Sequence, residues 1–196
     1  MPISAVPTRS TRRWLLAAGL TVVLSVLTGV RAAAEDAPSR HGTAERLGLR
    51  LLNCTRTGGW VQPDGSCKGR GSGTYSKRLP ALRLHEGISD HVAFPWSDEM
   101  VRAQACAHSI DGLPDLAGRF STAGFPYPFL GENIGCARGG MSVRDMVIRT
   151  HISMQAEKRE RGGHWRNMKN PGFKSVGIGV ASLAGYSAIT YDFYGR

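Results

Sequence analysis

The chain has no Cys-x-x-Cys pair, no His-Glu-x-x-His signature and no Gly-x-Ser-x-Gly elbow, and it shows no evident catalytic cysteine. Those gaps argue against a zinc-thiolate site, a zincin-type hydrolase and a serine hydrolase. Acidic residues are scarce, 15 against 25 lysines and arginines, for a formal charge of +10. The basic residues form no stripe interleaved with stacking aromatics, so nucleic acid is not an expected partner. No internal repeat and no second domain shows in the pattern. The one long uncharged apolar run, residues 14–30, falls short of the about 20 residues that a membrane-spanning helix needs.

Arg9, Arg12 and Arg13 precede that run and Ala32-Ala33-Ala34 follows it, which predicts a signal peptide over 1–34, cleaved near Ala34. Thr11-Arg12-Arg13-Trp14-Leu15-Leu16 also resembles a twin-arginine export signal. The expected product is secreted and keeps no stable membrane anchor. Four arginines and no acid leave with residues 1–34, so 21 basic residues face 15 acids and the charge falls to +6. That balance suits anionic surfaces such as cell-wall polymers or lipid head groups. Residues 35–45 are expected to form a linker, and 46–196 one domain with a full core.

Cys54, Cys67, Cys106 and Cys136 all fall in the exported part. An even count in an oxidising compartment predicts two disulfides, with three possible connectivities. The favoured pair is Cys54–Cys67, which closes a short loop through Gly58-Gly59 and Asp64-Gly65. Cys106 and Cys136 are then left to each other.

Helical spacing of Leu47, Leu51 and Cys54 predicts a first helix from an N-cap at Thr43 to just before Gly58. Residues 60–78 read as a disulfide-tied loop whose Lys68, Arg70, Lys77 and Arg78 form a solvated face. A second helix is predicted from Ser89 to Cys106, started or kinked by Pro95, with Val92, Trp96, Met100 and Ala103 as its buried stripe. Residues 111–128 carry Gly and Pro at many positions and are expected to be mostly turns. Ser142 and Asp145 make an approximate capping box for a third helix that reaches Glu157, with Val143, Met146, Val147, Thr150 and Met154 on one face. Residues 174–182 and 186–194 alternate in the manner of strands, joined at Leu183-Ala184-Gly185. Gly177 and Gly179 leave one face of the first strand bare, a sign of close backbone packing. Three helices and a terminal hairpin predict an α+β sandwich.

The chain is organised around Gly131-Glu132-Asn133-Ile134. Glu132 between glycines has a bland reading as a turn residue. The working expectation is that it meets His108 and His164 in one cleft, within a few ångströms of one another, with Gly131 and Gly135 leaving room for close approach. That convergence would also bring Cys106 and Cys136 together, because they flank His108 and Glu132.

Several segments, in order, resemble the CAP superfamily (the SCP/PR-1-like domain of cysteine-rich secretory, antigen 5 and pathogenesis-related proteins) in a secreted bacterial form. They are Ser97-Asp98-Glu99-Met100; His108-Ser109-Ile110-Asp111-Gly112 with Arg119 and Ala123-Gly124-Phe125; Gly131-Glu132-Asn133-Ile134; His164-Trp165-Arg166-Asn167-Met168-Lys169-Asn170-Pro171; and the closing pair Val176-Gly177-Ile178-Gly179-Val180 and Asp192-Phe193-Tyr194-Gly195. The resemblance implies a CAP domain over 46–196, an α-β-α sandwich with a central antiparallel sheet and a wide cleft. It also implies a tetrad of two histidines and two acids: His108, Glu132, His164 and a fourth member at Glu157, with Glu160 in reserve.

Such a set could bind Zn2+ or another divalent cation weakly, the histidines as ligands and the acids orienting them. It could instead be a polar network that holds loops together. The resemblance points to a non-catalytic binding protein with a lipid, sterol or cell-surface ligand. The alternative is a metal-dependent or Glu/His hydrolase acting outside the cell, in which Glu132 would be the general acid or base. Phe120, Phe125, Tyr127 and Phe129 would line an apolar groove if exposed, and are core if covered.

Overall fold

The structure, a computed structural model, describes residues 37–125 and 129–195. The signal peptide expected over 1–34 and Tyr127 lie outside these residues. The frame is the terminal hairpin. Strands β6 (Ser175–Leu183) and β7 (Tyr186–Gly195) pair antiparallel from Ser175↔Tyr194 to Leu183↔Tyr186. Ala184 and Gly185 both take positive φ, 48° and 78°, the geometry of a two-residue turn whose twist matches the flanking strands. On its other side β7 pairs antiparallel with β5 (Phe129–Ala137) along the whole strand. Residues 129–136 are therefore edge strand, not turn.

The outer edge of β6 is shared by two short strands, β1 (Ser39–Arg40), antiparallel, and β4 (Arg83–Leu84), parallel. Between them the ladder has a gap, and side chains fill it. Ser89 Oγ accepts the Ile178 N–H (2.9 Å), Ser97 Oγ donates to the Gly179 carbonyl (2.9 Å), and Glu45 accepts the Val180 N–H (3.3 Å). Strand β1 begins inside the predicted linker, and Arg40 binds Glu45 and Asp90, so that part of the linker is fastened to the domain.

The period-two alternation of the strands sorts the core into two layers. Val176, Ile178 and Val180, with Ile189, Tyr191 and Phe193, face helices α1 (Gly42–Arg56) and α5 (Val143–Ala156) and the short α6 (Gly163–Met168). Ala181 and Ala188 face the opposite layer, where Trp96, Met100 and Val101 pack on them. That layer holds α2 (Glu86–Ile88), a π-helical turn at Ser89–Ala93, α3 (Phe94–Ala103) and α4 (Leu116–Thr122). The fold is an α-β-α sandwich. A side chain at Gly179 would collide with the backbone of Ala93 and Phe94, so the bare face expected at Gly177 and Gly179 is where the π-helical turn rests on the sheet.

Several sequence expectations need correction. The first helix is capped at His41, two residues before Thr43, because the chain leaves β1 and turns directly into it. The second helix begins earlier, widens at the π-turn before Pro95, whose missing N–H and bulky ring disrupt a regular ladder, and ends at Ala103. Gln104 stops it in a left-handed conformation (φ 48°), so Ala103 is exposed and Val101 takes its place in the core. Residues 111–128 are not all turn. Asp115 accepts the Gly118 N–H (2.8 Å) and starts α4. The third helix keeps its Ser142 cap and its Ser142–Asp145 bonds, with Met146, Val147 and Met154 buried as expected, and Val143 and Thr150 half-buried.

Both favoured disulfides are present, Cys54–Cys67 and Cys106–Cys136. The first pins a small hairpin, β2 (Trp60–Val61) with β3 (Cys67–Lys68), against the end of α1. The second ties the loop that carries His108 to β5.

Candidate functional site

Strand β5 lies at the edge of the sheet, and its consecutive residues serve opposite faces. Glu132 points into the α3–α4 layer. His108 Nδ1 lies 2.7 Å from Glu132 Oε1, and the Arg119 guanidinium holds Oε2. Arg119 comes from α4, lies 3.8 Å over the Trp96 ring, and also donates to the His108 carbonyl (3.4 Å). Both oxygens of Glu132 are thus engaged, and the residue is 7% exposed.

Asn133 points the other way. Its amide donates to the His164 carbonyl (3.1 Å) and its side-chain oxygen accepts from Asn167 (2.9 Å), which in turn donates to the Glu132 carbonyl (3.0 Å). These bonds seat α6 against β5. His164, on the first turn of α6, places Nδ1 2.5 Å from Glu157 Oε1, while Glu157 Oε2 accepts the His164 backbone N–H (3.0 Å). A side chain at Gly162 would strike the Glu157 carboxylate, so glycine is what allows this return of the chain. Glu157 therefore pairs with His164. Glu160, the reserve, lines the same cleft without taking that place.

The two pairs share one open cleft of about 380 Å³, lined by His108, Glu132, Glu157, Glu160, His164 and Asn167. They reach it from opposite faces of the sheet, around the free edge of β5. Only His108 and Glu132 touch among the three residues expected to converge; His164 belongs to the second pair. Among the described residues no three His, Cys, Asp or Glu side chains gather closely enough to hold a metal ion. The donor chemistry still suits a cation held by histidine alone. Each imidazole gives its Nδ1–H to a carboxylate, which fixes the tautomer and leaves Nε2 as the basic nitrogen.

The hydrogen bond to Glu132 raises the pKa of His108 above its usual range, against desolvation and the nearby Arg119 charge. Glu157 is pushed up by burial, but its bonds and charge interaction with His164 outweigh this and leave it lowered. Beneath Glu132 lies a residue that sequence reasoning did not place in the site. Asp192 sits directly across from it on β7, fully buried, with neither carboxyl oxygen hydrogen-bonded to a donor. Burial, then the Glu132 charge, raise its pKa well above the carboxylate range, with Arg119 opposing. Burial beside Glu132 thus favours the protonated form of Asp192, whose O–H could donate to Glu132. Arg119 and Asn167 appear in the sequence only as parts of motifs, and the Asp115 cap is the one local signal that Arg119 sits on a helix.

The described aromatics of residues 120–129 do not form an open groove. Phe120 is fully buried and stacks on Tyr194, Phe125 packs edge-on against His85, and Phe129 is 42% exposed beside Phe173. No helix of the described residues is long and apolar enough to cross a membrane.

No curated protein matches the chain. Among solved structures it is similar to NaASP2, crystallised with Zn2+, at 14% identity over 79% of this chain and 80% of that one, with a TM-score of 0.52. It is also similar to an extracellular protein containing an SCP domain from Bacillus anthracis, at 21% identity over 60% of this chain and a TM-score of 0.49; the match spans 35% of that protein's length. The likeness to NaASP2 speaks for the fold. The model of the cysteine-rich secretory protein family, CAP, matches residues 48–193, the greater part of the sequence, and the chain belongs to that family.

Proposed function

We propose that this is a secreted CAP-domain protein that works by binding, and that its cleft takes up a divalent cation, zinc above all, weakly through His108 and His164. One observation carries the reading. Each histidine is oriented through Nδ1 by its own carboxylate, and both line one cleft. Two protein ligands leave most of the coordination to water, so affinity is low and tracks the local metal concentration. Bound there, zinc would supply a Lewis-acidic centre open to an oxygen of a ligand. Glu132 has both oxygens occupied and is nearly buried, which suits an orienting role better than that of a general base. Export is supported by two disulfides and by the leader-like pattern of residues 1–34. A cell-surface ligand fits the basic surface, whereas the covered Phe120 and half-covered Phe125 give a lipid or sterol no open groove there.

Zinc titration by calorimetry, on the protein and on His108→Ala/His164→Ala, tests the reading. The expected result is saturable heat that the double variant loses. Equal heat in both proteins, or none in either, would leave the two pairs as scaffold.

A further inference from the structure

We infer that the protein has a second binding site, for a phosphate-bearing anion, in a cavity that shares no residue with the histidine cleft. The cavity has a volume of about 600 Å³ and lies where the start of α1, the start of α5 and the disulfide-pinned β2–β3 hairpin meet. Arg40, Arg50, Arg70 and Arg144 line it, Leu47 and Leu51 contribute apolar wall, and none of the described residues lining it carries a carboxylate.

The four arginines are not equally neutralised. Arg40 is engaged by Glu45 and Asp90 at 2.9 and 2.7 Å. Arg144 gives one N–H to the Asp64 carbonyl and lies 3.6 Å from the exposed Asp145. Arg50 and Arg70 form no ion pair among the described residues. A recess lined by one sign of charge concentrates counter-ions. The guanidinium fork pairs in bidentate fashion with phosphate, which a lysine cannot do. More than one uncompensated fork favours a ligand with more than one negative oxygen, and the volume is that of an ordinary small-ligand pocket, about 300–1,000 Å³. Arg70 is exposed, as its sequence reading as part of a solvated face expects, and it also lines a recess whose other walls come from distant parts of the chain.

The test titrates the protein with inorganic tripolyphosphate by calorimetry, and in parallel measures sedimentation with vesicles of phosphatidylglycerol or of phosphatidylcholine. Arg50→Ala/Arg70→Ala removes the two unpaired forks. Arg83→Ala/Arg159→Ala removes the same charge outside the cavity, and Arg50→Lys/Arg70→Lys keeps the charge but loses the fork. Saturable tripolyphosphate binding that weakens at least tenfold in the first variant, less in the lysine variant and little in the control assigns the site to free phosphates. The same order seen only with phosphatidylglycerol vesicles assigns it to a lipid head group. Equal weakening in the cavity and control variants overturns the site in favour of diffuse charge, and no binding to either probe overturns it outright. Thermal melts of each variant check that the fold is retained. Zinc binding by the histidine cleft should be unchanged in all of them, so failure here and failure there are separate results.

Discussion

Glu132 and Asn133 are neighbours on edge strand β5 and hold the two halves of the cleft from opposite faces of the sheet: Glu132 binds His108, and Asn133 binds the main chain of His164. A one-residue change of register would exchange their roles. The cleft is thus a property of the strand edge, since a strand paired on both sides could not let side chains from the two layers meet around it. Asn133 is fully buried, and its loss leaves the His164 carbonyl and the Asn167 amide without this partner. Asn133→Ala is expected to cost about 2–3 kcal/mol, the scale of leaving buried polar groups unpaired. Urea unfolding gives the cost, and zinc calorimetry on the folded variant should show weakened binding because α6 has lost its anchor. A stability loss with unchanged zinc binding would mean that Asn133 does not position His164.

Glu132→Gln and Glu157→Gln separate orientation from ligation. If the acids act by holding the imidazoles, each change should lower zinc affinity by about 10–100-fold without abolishing it. The pH dependence carries a sign. Zinc needs neutral His108, and Glu132 favours its protonated form, so affinity should begin to fall at a pH above the usual histidine range, about 6.5. In Glu132→Gln the fall should move to lower pH. Calorimetry from pH 5.5 to 8 reads both effects.

Asp192 opposes Glu132 across β5 and β7 and is the group that pays for their burial together. Its folded pKa is raised, so its contribution to stability is full at low pH and is lost as pH rises above the unfolded value near 3.9. Asp192→Asn keeps the shape and a donor for Glu132 while removing the ionisation. At pH 7 the variant is expected to melt at least about 2 °C above the parent, and at pH 4 the advantage should vanish. A lower melting temperature at both values would show that Asp192 is ionised and needed as a charge.

How much of this was legible depends on segment length and on what the glycines hide. The alternation of Val176, Ile178 and Val180 and the Ser142–Asp145 box announce β6 and α5, because each signal repeats or is chemically specific. In β5 the glycines at 131 and 135 sit where a strand would show side chains. A side chain at Gly135 would collide with Thr150 of α5, so close packing erased the period that identifies the strand. Helices α4 and α6 span seven and six residues, too short for a hydrophobic stripe to emerge. His108, Glu132, His164 and Glu157 could be named from motif resemblance. Their division into two pairs depends on which face each residue of β5 takes, and Asp192 enters only through cross-strand register.

His151 should work against the folded state in mild acid. It is buried between α5 and α1, with Nε2 2.8 Å from Thr55 Oγ1. Thr55 donates its own hydrogen to Gln155 (2.9 Å), so its oxygen accepts Nε2–H, and Gln155 continues the chain by bonding both backbone groups of Val61. The network joins α1, α5 and the small hairpin, and no acid in it could balance an imidazolium. Burial lowers the His151 pKa to about 3, against about 6.5 in the unfolded chain. Between those values the unfolded state binds a proton that the folded state refuses, so stability falls with pH by up to about 1.4 kcal/mol per unit. His108 does not mask this, because a raised pKa leaves its contribution constant below 6.5. Glu157, with a lowered pKa, loses its contribution mainly below the usual carboxylate range. Asp192 works the other way over the same interval, because its raised pKa lets the folded state keep a proton that the unfolded chain gives up, so the interval from pH 6.5 to 4.5 isolates His151 only in an Asp192→Asn background. With Asp192→Asn in both proteins, urea unfolding at three pH values across it should give a steep slope where His151 is kept and a clearly shallower one for His151→Gln, which keeps a donor for Thr55. Equal slopes would place the acid sensitivity elsewhere in the protein.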